Sequence, residues 1–508
     1  MNPEFLESVR RSFPTTDAIT LGAPMHEGTI HAEPLVRVPL AVLNRHGLIA
    51  GATGTGKTRT LQLVAEQLSA AGVPVFVADI KGDLSGLAAP GGPHAKIDER
   101  AAATGHPWQP SAFPVEYLSL TGAHGAQLRA TVASFGPLLL AKVLGLNETQ
   151  TSVLTMVFKY CDDRGLALLD LGDLRAVLQF LSDEGSDDLK EYGGMSRQTV
   201  GVLLREMVEL EHQGAGDFFG EPEFDLDDLI QLDPDGRGVI SALQLRDCQD
   251  RPALFSTFML WMLARLYLDL PEVGDLPKPK LVFFLDEAHL LFDGASKAFR
   301  DQVEQVVRLI RSKGVGVIFV TQSPKDLPAE ILGQLGSRVQ HALRAFTPDD
   351  EKALKAAART FPKTPWYDVE ELLTTVGTGE AVITVLNVKG APTPPVACHL
   401  IAPSASMSPL PAEDLARRNA SSAQVKRYAT PLDRESAREK LEQRVAETER
   451  EAPVGVEDRG ERSRRSTRAA KPVPNGLEKI LKTRTASNMG TQIVRSAMGV
   501  LERYLRKR

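Results

Sequence analysis

The sequence predicts a doubly wound α/β fold with a mainly parallel sheet, on three observations. A short apolar strand, HGLIAG (46–51), runs straight into a glycine-rich loop and then into a segment whose Leu61, Val64, Ala65 and Leu68 recur at helical spacing. Three further runs of strand length, VPVFVADI (73–80), LVFFLDEA (281–288) and GVIFVTQ (316–322), are apolar at consecutive positions, as strands buried on both faces are. Between the last two, Phe299, Val303, Val306, Val307 and Ile310 mark one face of an intervening helix. With RVQHAL (338–343) as a fifth strand, strand and helix alternate as right-handed crossovers require.

Taken in order, residues 1–45 hold short β-like pieces (18–21, 28–31, 35–40) broken by Gly and Pro, and read as a small N-terminal β cap. The core occupies 46–90 and resumes over 275–403. Between them, 91–274 reads as a mainly helical insertion, with helical periods at 138–144, 149–161, 171–181, 196–212 and 252–268. The last of these contains the most apolar stretch of the chain, but Arg265 interrupts it well short of the roughly 18 residues a membrane span needs, so it reads as a buried helix. Residues 404–470 are rich in Glu, Arg, Ser and Ala with few aromatics, the composition of a charged linker that is either a solvated helix or disordered. Residues 471–508 interleave Leu and Ile with basic residues, as a basic amphipathic segment does.

A chain of 508 residues is too long for one simple domain but suits one core with large insertions. The 59 Lys and Arg against 65 Asp and Glu leave a net charge of −6, so no global field favours nucleic acid. That total is an average: nine basic residues against two Glu give 471–508 a charge of +7, leaving −13 on the rest. Cys161, Cys248 and Cys398 form no CxxC pair or His/Cys cluster, which fits a reducing cytoplasm and speaks against structural zinc. The opening MNPEFLESVRRSF has no apolar segment of the kind a secretory signal carries. DPDGRG (233–238) lacks the full calcium-loop spacing and reads as a turn.

The chemistry sits at the strand ends. GATGTGKT (51–58) satisfies the P-loop pattern G-x-x-x-x-G-K-[ST] in full. Gly51, Ala52, Thr53, Gly54, Thr55 and Gly56 would turn backbone N–H groups around phosphates, at a helix start whose unpaired amides favour anions. Lys57 would reach the terminal phosphates of ATP, and the Thr58 hydroxyl would ligate Mg2+. LVFFLDEAH then delivers Asp286 to a strand end as the Mg2+ partner, with Glu287 beside it to orient and deprotonate the attacking water. This acidic pair suits hydrolysis better than phosphoryl transfer to a metabolite and marks an ATPase with a catalytic glutamate. Gln322 ends another strand, where its amide contacts the γ-phosphate or the water, or merely begins a turn before Pro324. Asp79 either reaches the site or starts its own turn. For an arginine finger the candidates are Arg308, Arg311, Arg338 and Arg344, with Arg311 on the helix face leading into the fourth strand.

These segments, NRHGLIAGATGTGKT, FVADIKGDLSGL, FFLDEAHLLF and RSKGVGVIFVTQSP, resemble the HerA/FtsK superfamily of motor ATPases, and most of all the bacterial YjgR-type HerA-like proteins, over about residues 15–400. The resemblance implies a RecA-like core of strand order 5-1-4-3-2, ATP and Mg2+ as cofactors, and a homo-oligomeric ring, often a hexamer, with ATP between subunits. Lys57 and Thr58 match the Walker A pair, Asp286 and Glu287 the Walker B pair, and Gln322 the strand-end sensor. The expected function is ATP hydrolysis coupled to nucleic-acid translocation or remodelling, with DNA the partner. The alternative is a regulatory or scaffold ATPase that switches assembly with protein or membrane partners through its basic tail.

Overall fold

The structure is a computed structural model that describes residues 2–451 apart from 294 and 433; the basic segment 471–508 lies outside the described residues. Among the described residues the strands join in one thirteen-stranded sheet. In chain order they are β1 (Ala18–His26), β2 (Thr29–Ile30), β3 (Val36–Pro39), β4 (Gly47–Ala50), β5 (Val75–Asp79), β6 (Val115–Ser119), β7 (Ala126–Gln127), β8 (Ile240–Gln244), β9 (Leu281–Leu285), β10 (Val315–Thr321), β11 (Ser337–Gln340), β12 (Glu380–Thr384) and β13 (Val396–Leu400). Five consecutive neighbours, β11-β4-β10-β9-β5, are parallel throughout. Numbered along the chain they run fifth, first, fourth, third, second, which is the order the resemblance implied.

The reason these runs form inner strands is visible in their burial. On β9, Leu281, Phe283 and Leu285 pack into the core on one side of the sheet, while Val282 and Phe284 pack into the core on the other. On β5, Phe76 and Ala78 split from Val75 and Val77 in the same way. A strand with helices on both sides has no polar face, which is why its sequence reads as a continuous apolar run. The helix Lys57–Ala70 covers one side through Leu61, Val64, Ala65 and Leu68. The helices Pro252–Asp269 and Lys297–Ile310 cover the other. Trp261 is fully buried at the centre of the first of these, as a core helix rather than a spanning one demands.

Three features depart from the expected composition of segments. Residues 91–274, read as mainly helical, also supply β6, β7 and β8, and β8 pairs in parallel with β5 to carry the sheet past its five-strand core. VISALQ follows the DPDGRG turn but is too short to be told from a helical fragment by periodicity. Residues 1–45 begin with a helix, Pro3–Ser12, capped by the Asn2 side chain and anchored by buried Phe5 and Val9. Downstream of 404, the described residues form the helices Ala412–Ser421, Ala423–Tyr428 and Ala437–Glu451. These are not a free solvated linker: Tyr428, Ala437 and Leu441 are buried in the main core. The Tyr428 hydroxyl donates to Asp228 Oδ2 at 2.7 Å and accepts the Asp225 amide at 3.0 Å. A few anchors widely spaced among Glu and Arg hold the segment down, and a compositional average conceals them.

At the far side of β11 the sheet turns antiparallel through β12, β13 and β1. Gly379, just before β12, donates its amide to Thr55 O at 3.0 Å, so this wing braces the glycine-rich loop from behind. Among the described residues, no helix is long and apolar enough to cross a membrane.

Candidate active site

The loop between β4 and the helix Lys57–Ala70 is suspended from neighbouring strands. The Gly51 amide donates to Thr321 O at the end of β10 (3.3 Å), and the Ala52 amide to Ala342 O beyond β11 (2.8 Å). Gly51 is needed there for space, because a Cβ would stand 2.4 Å from the Cβ of His341. Gly54 and Gly56 take φ of 79° and 116°, which leaves Gly56 as an N-cap with no side-chain hydrogen bond and the first-turn amides of the helix uncapped. Thr53 and Gly54 are exposed at the tip, while Thr55 is buried and ties its hydroxyl to Ala52 O at 2.7 Å. Lys57 folds back over the loop, its Nζ donating to Gly51 O (2.7 Å) and Ala52 O (3.3 Å). Burial lowers the Lys57 pKa, opposed by the charges of Glu287 and Asp286. An ammonium held only by two carbonyls, beside uncapped amides, is arranged to receive an anion.

β9 ends beside this loop. Asp286 is buried; its Oδ1 accepts the Glu287 amide at 3.0 Å and its Oδ2 has no partner. Burial, then repulsion from Glu287, pushes its pKa up to about 7. A buried carboxylate oxygen without a donor fits a cation, and Thr58 lies in the first turn of the loop helix. No cluster of three or more His, Cys, Asp or Glu able to hold a metal occurs among the described residues. A single unpartnered carboxylate oxygen suits Mg2+, which typically takes one or two protein ligands and completes its shell with phosphate oxygens and water.

Glu287 adopts φ 46°, ψ 47°, a left-handed backbone uncommon for a glutamate. Its Oε1 meets Lys81 Nζ at 2.5 Å, and its Oε2 meets Gln322 Nε2 and His289 Nδ1, both at 3.5 Å. Burial raises its pKa, but the hydrogen bond and charge of Lys81, with Gln322 and His289, outweigh burial and hold it below the ordinary glutamate value. Gln322 follows Thr321, whose hydroxyl donates to Asp326 Oδ2 at 2.9 Å and fixes the strand end. An open cavity of about 930 Å³ adjoins the loop, lined by Ala52, Thr53 and Gln322 together with Arg300, Lys325 and Arg344.

Lys57, Asp286, Glu287 and Gln322 thus converge at one edge of the sheet, around the 51–56 loop. Asp79 turns out to be a turn residue: its carboxylate accepts the amides of Gly82 (2.6 Å) and Leu84 (3.1 Å) and the side-chain amide of Gln244 (3.1 Å). Arg311 does not join its own chain's site. It follows Lys297–Ile310, before β10 begins at Val315, whereas the loop hangs from Thr321 at the other end of that strand. Seven strand residues put it roughly 20 Å away. Its nearest ionic partner is Asp275 at 4.0 Å. Arg308 pairs with Glu304, and Arg338 is turned toward Leu332 O. Of the four arginine candidates, Arg344 alone lines the cavity beside the loop. Sequence reasoning missed Lys81, although a lysine two residues past an acidic strand end is a legible signal for this edge of an α/β sheet.

The model of the Helicase HerA-like C-terminal family matches residues 26–506. The chain belongs to that family. In this HerA-like chain the loop, Asp286 and Glu287 follow the ends of parallel strands, the edge at which open α/β sheets bind their ligands. Among curated proteins, Probable helicase MJECL08 of Methanocaldococcus jannaschii is 29% identical over 119 residues, which is 23% of this chain but only 21% of that protein's length. Among solved structures, the plasmid coupling protein TrwB in complex with the non-hydrolysable ATP analogue ADPNP superposes with a TM-score of 0.53 at 15% identity, covering 81% of this HerA-like chain and 94% of TrwB. TrwB with the GTP analogue GDPNP gives 0.52 at 15% identity, over 81% and 95% of the two chains, and TrwB with ADP and Mg2+ gives 0.51 at 15%, over 78% and 91%. At that identity the likeness shows the shared RecA-like fold.

Proposed function

We propose that this chain hydrolyses ATP with Mg2+ as a subunit of a ring, possessing the parts of a motor that moves or remodels nucleic acid. The observation that carries the reading is the convergence of Lys57, the unpartnered Asp286 Oδ2, Glu287 and Gln322 on one P-loop. Lys57 exchanges its two loop carbonyls for β- and γ-phosphate oxygens of ATP, and the loop amides complete the cradle. Thr58 and Asp286 would hold Mg2+, which would supply positive charge to offset that of the phosphates. Glu287 orients a water and takes its proton, and Gln322, within reach of Glu287, registers whether the γ-phosphate is present. Arg311 lies at the far strand edge with its side chain 46% exposed; in a ring it is offered to a neighbouring subunit's ATP, not its own.

The nucleic-acid half of the proposal rests on family membership, because the chain is acidic overall and Arg300, Lys325 and Arg344 at the cavity are matched there by Asp293, Asp326, Glu330 and Asp350. It is tested by ATPase rate with and without double- and single-stranded DNA across a salt series. A several-fold stimulation that fades as salt rises supports the motor. Indifference to DNA at every salt concentration refutes it and favours a nucleotide switch acting on protein partners.

A further inference from the structure

Both carboxylate oxygens of Glu287 are occupied. Lys81 takes Oε1, and Gln322 and His289 share Oε2. A carboxylate in close ion pairing with a lysine is turned to that lysine and is a weaker acceptor for a proton from water, so this arrangement is a resting one. Of the three partners, Lys81 makes the closest contact, and its side chain is 52% exposed and therefore able to leave.

The backbone on either side of Lys81 is held from outside the five-strand core. Ile80 O accepts Gln249 Nε2 at 2.8 Å, and Gly82 O accepts the Arg246 guanidinium. Gly82, at φ 71°, has no Cβ where that guanidinium lies, since one would fall on Arg246 Nε. Arg246 and Gln249 belong to the segment that follows β8, and the next residue, Asp247, accepts the hydroxyl of Thr121 beyond β6. The turn that carries Lys81 is thus gripped by the outer strands that extend the ATPase sheet.

We propose that Lys81 is a positioning residue that restrains Glu287 at rest, and that the segment after β8 sets whether the restraint holds. A partner engaging the outer sheet edge shifts Arg246 and Gln249, the 80–82 turn follows, and Glu287 is released to its water. The inference rests on Glu287 being the base of the proposed hydrolysis.

The test is steady-state ATPase of the full chain for the wild type, Lys81→Met, Lys81→Arg, the pair Arg246→Met with Gln249→Met, and the triple variant, with Glu287→Gln as control and fluorescent ADP binding to check the fold. Lys81→Met should raise basal kcat about fivefold with KM unchanged, the weight of one half-exposed ion pair. Lys81→Arg should restore the wild-type rate, and the Arg246/Gln249 pair should match Lys81→Met without adding to it in the triple variant. A kcat that stays level or falls, or a KM that rises, overturns the inference and makes Lys81 an ordinary scaffold or nucleotide contact. Additive effects overturn the part assigned to the β8 segment. If Glu287→Gln turns over normally, the hydrolysis reading fails instead, whatever Lys81 does.

Discussion

His46 offers a quantitative check on how the P-loop strand is seated. It stands immediately before β4 with 5% of its surface exposed, and its Nδ1 accepts the Val317 amide from β10 at 3.0 Å. Burial pushes its pKa down from 6.5 to about 4. Because the folded value lies below the unfolded one, the unfolded chain takes up the proton first as pH falls. The stabilisation is full above pH 6.5 and is lost on the way down to pH 4. Between pH 7 and pH 5 the unfolded form gains most of a proton and the folded form almost none, which costs the native state about 2 kcal/mol. His46→Asn keeps an acceptor for Val317 and tolerates the φ of 57° at this position, but cannot titrate. Urea unfolding of both proteins at pH 5, 6, 7 and 8 measures the difference. The buried His341 (pKa down to about 4), Glu66 (up to about 7) and Asp79 (up to about 6) titrate in the same window but alike in both proteins, so they cancel. The asparagine variant should lose about 2 kcal/mol less than wild type between pH 7 and pH 5. Parallel stability curves would show that His46 is not buried neutral, and the reasoning would fail.

Replacing Glu287 by Gln should lower kcat by roughly 10² to 10⁴ with ATP binding retained, measured by steady-state turnover alongside equilibrium binding; a near-normal kcat rejects it as the base. Gly51→Ala places a Cβ 2.4 Å from His341 Cβ, so the loop must distort at a cost of about 1–3 kcal/mol, and calorimetric titration should show ATP affinity down at least tenfold. Tyr428→Phe leaves buried Asp228 without its hydroxyl donor and should cost about 1–3 kcal/mol in urea unfolding; a change under 0.5 kcal/mol, roughly the scatter of surface substitutions, would mean that the 423–428 helix is not held through this contact. Mixing Lys57→Ala subunits with Arg311→Ala subunits should regenerate active interfaces if Arg311 acts on a neighbour, and no recovery at any ratio removes it as a finger.

How much of this was legible depended on whether a function needs adjacent or distant residues. The P-loop and the Asp286–Glu287 pair are local: a phosphate cradle needs glycines, a lysine and a hydroxyl within eight residues, and a metal carboxylate needs only the end of one apolar strand. The five inner strands are legible for a similar reason, since burial on both faces leaves a run with no alternation. β8 escaped because five buried residues carry no period of their own, and its strand character comes from pairing with β5 and β6. Tyr428 escaped because one anchor is lost among charged neighbours whose average describes only the solvent-facing side.

By itself the sequence determined the class of core, the loop that cradles phosphate and the acids that face it, because each is dictated by short-range geometry. Only the tertiary structure decided which arginine lies where, that Asp79 caps a turn, and that Glu287 rests against a lysine 206 positions earlier in the chain. Those facts come from parallel crossovers that bring distant strand ends to one edge of the sheet, and spacing along a chain carries no record of that meeting.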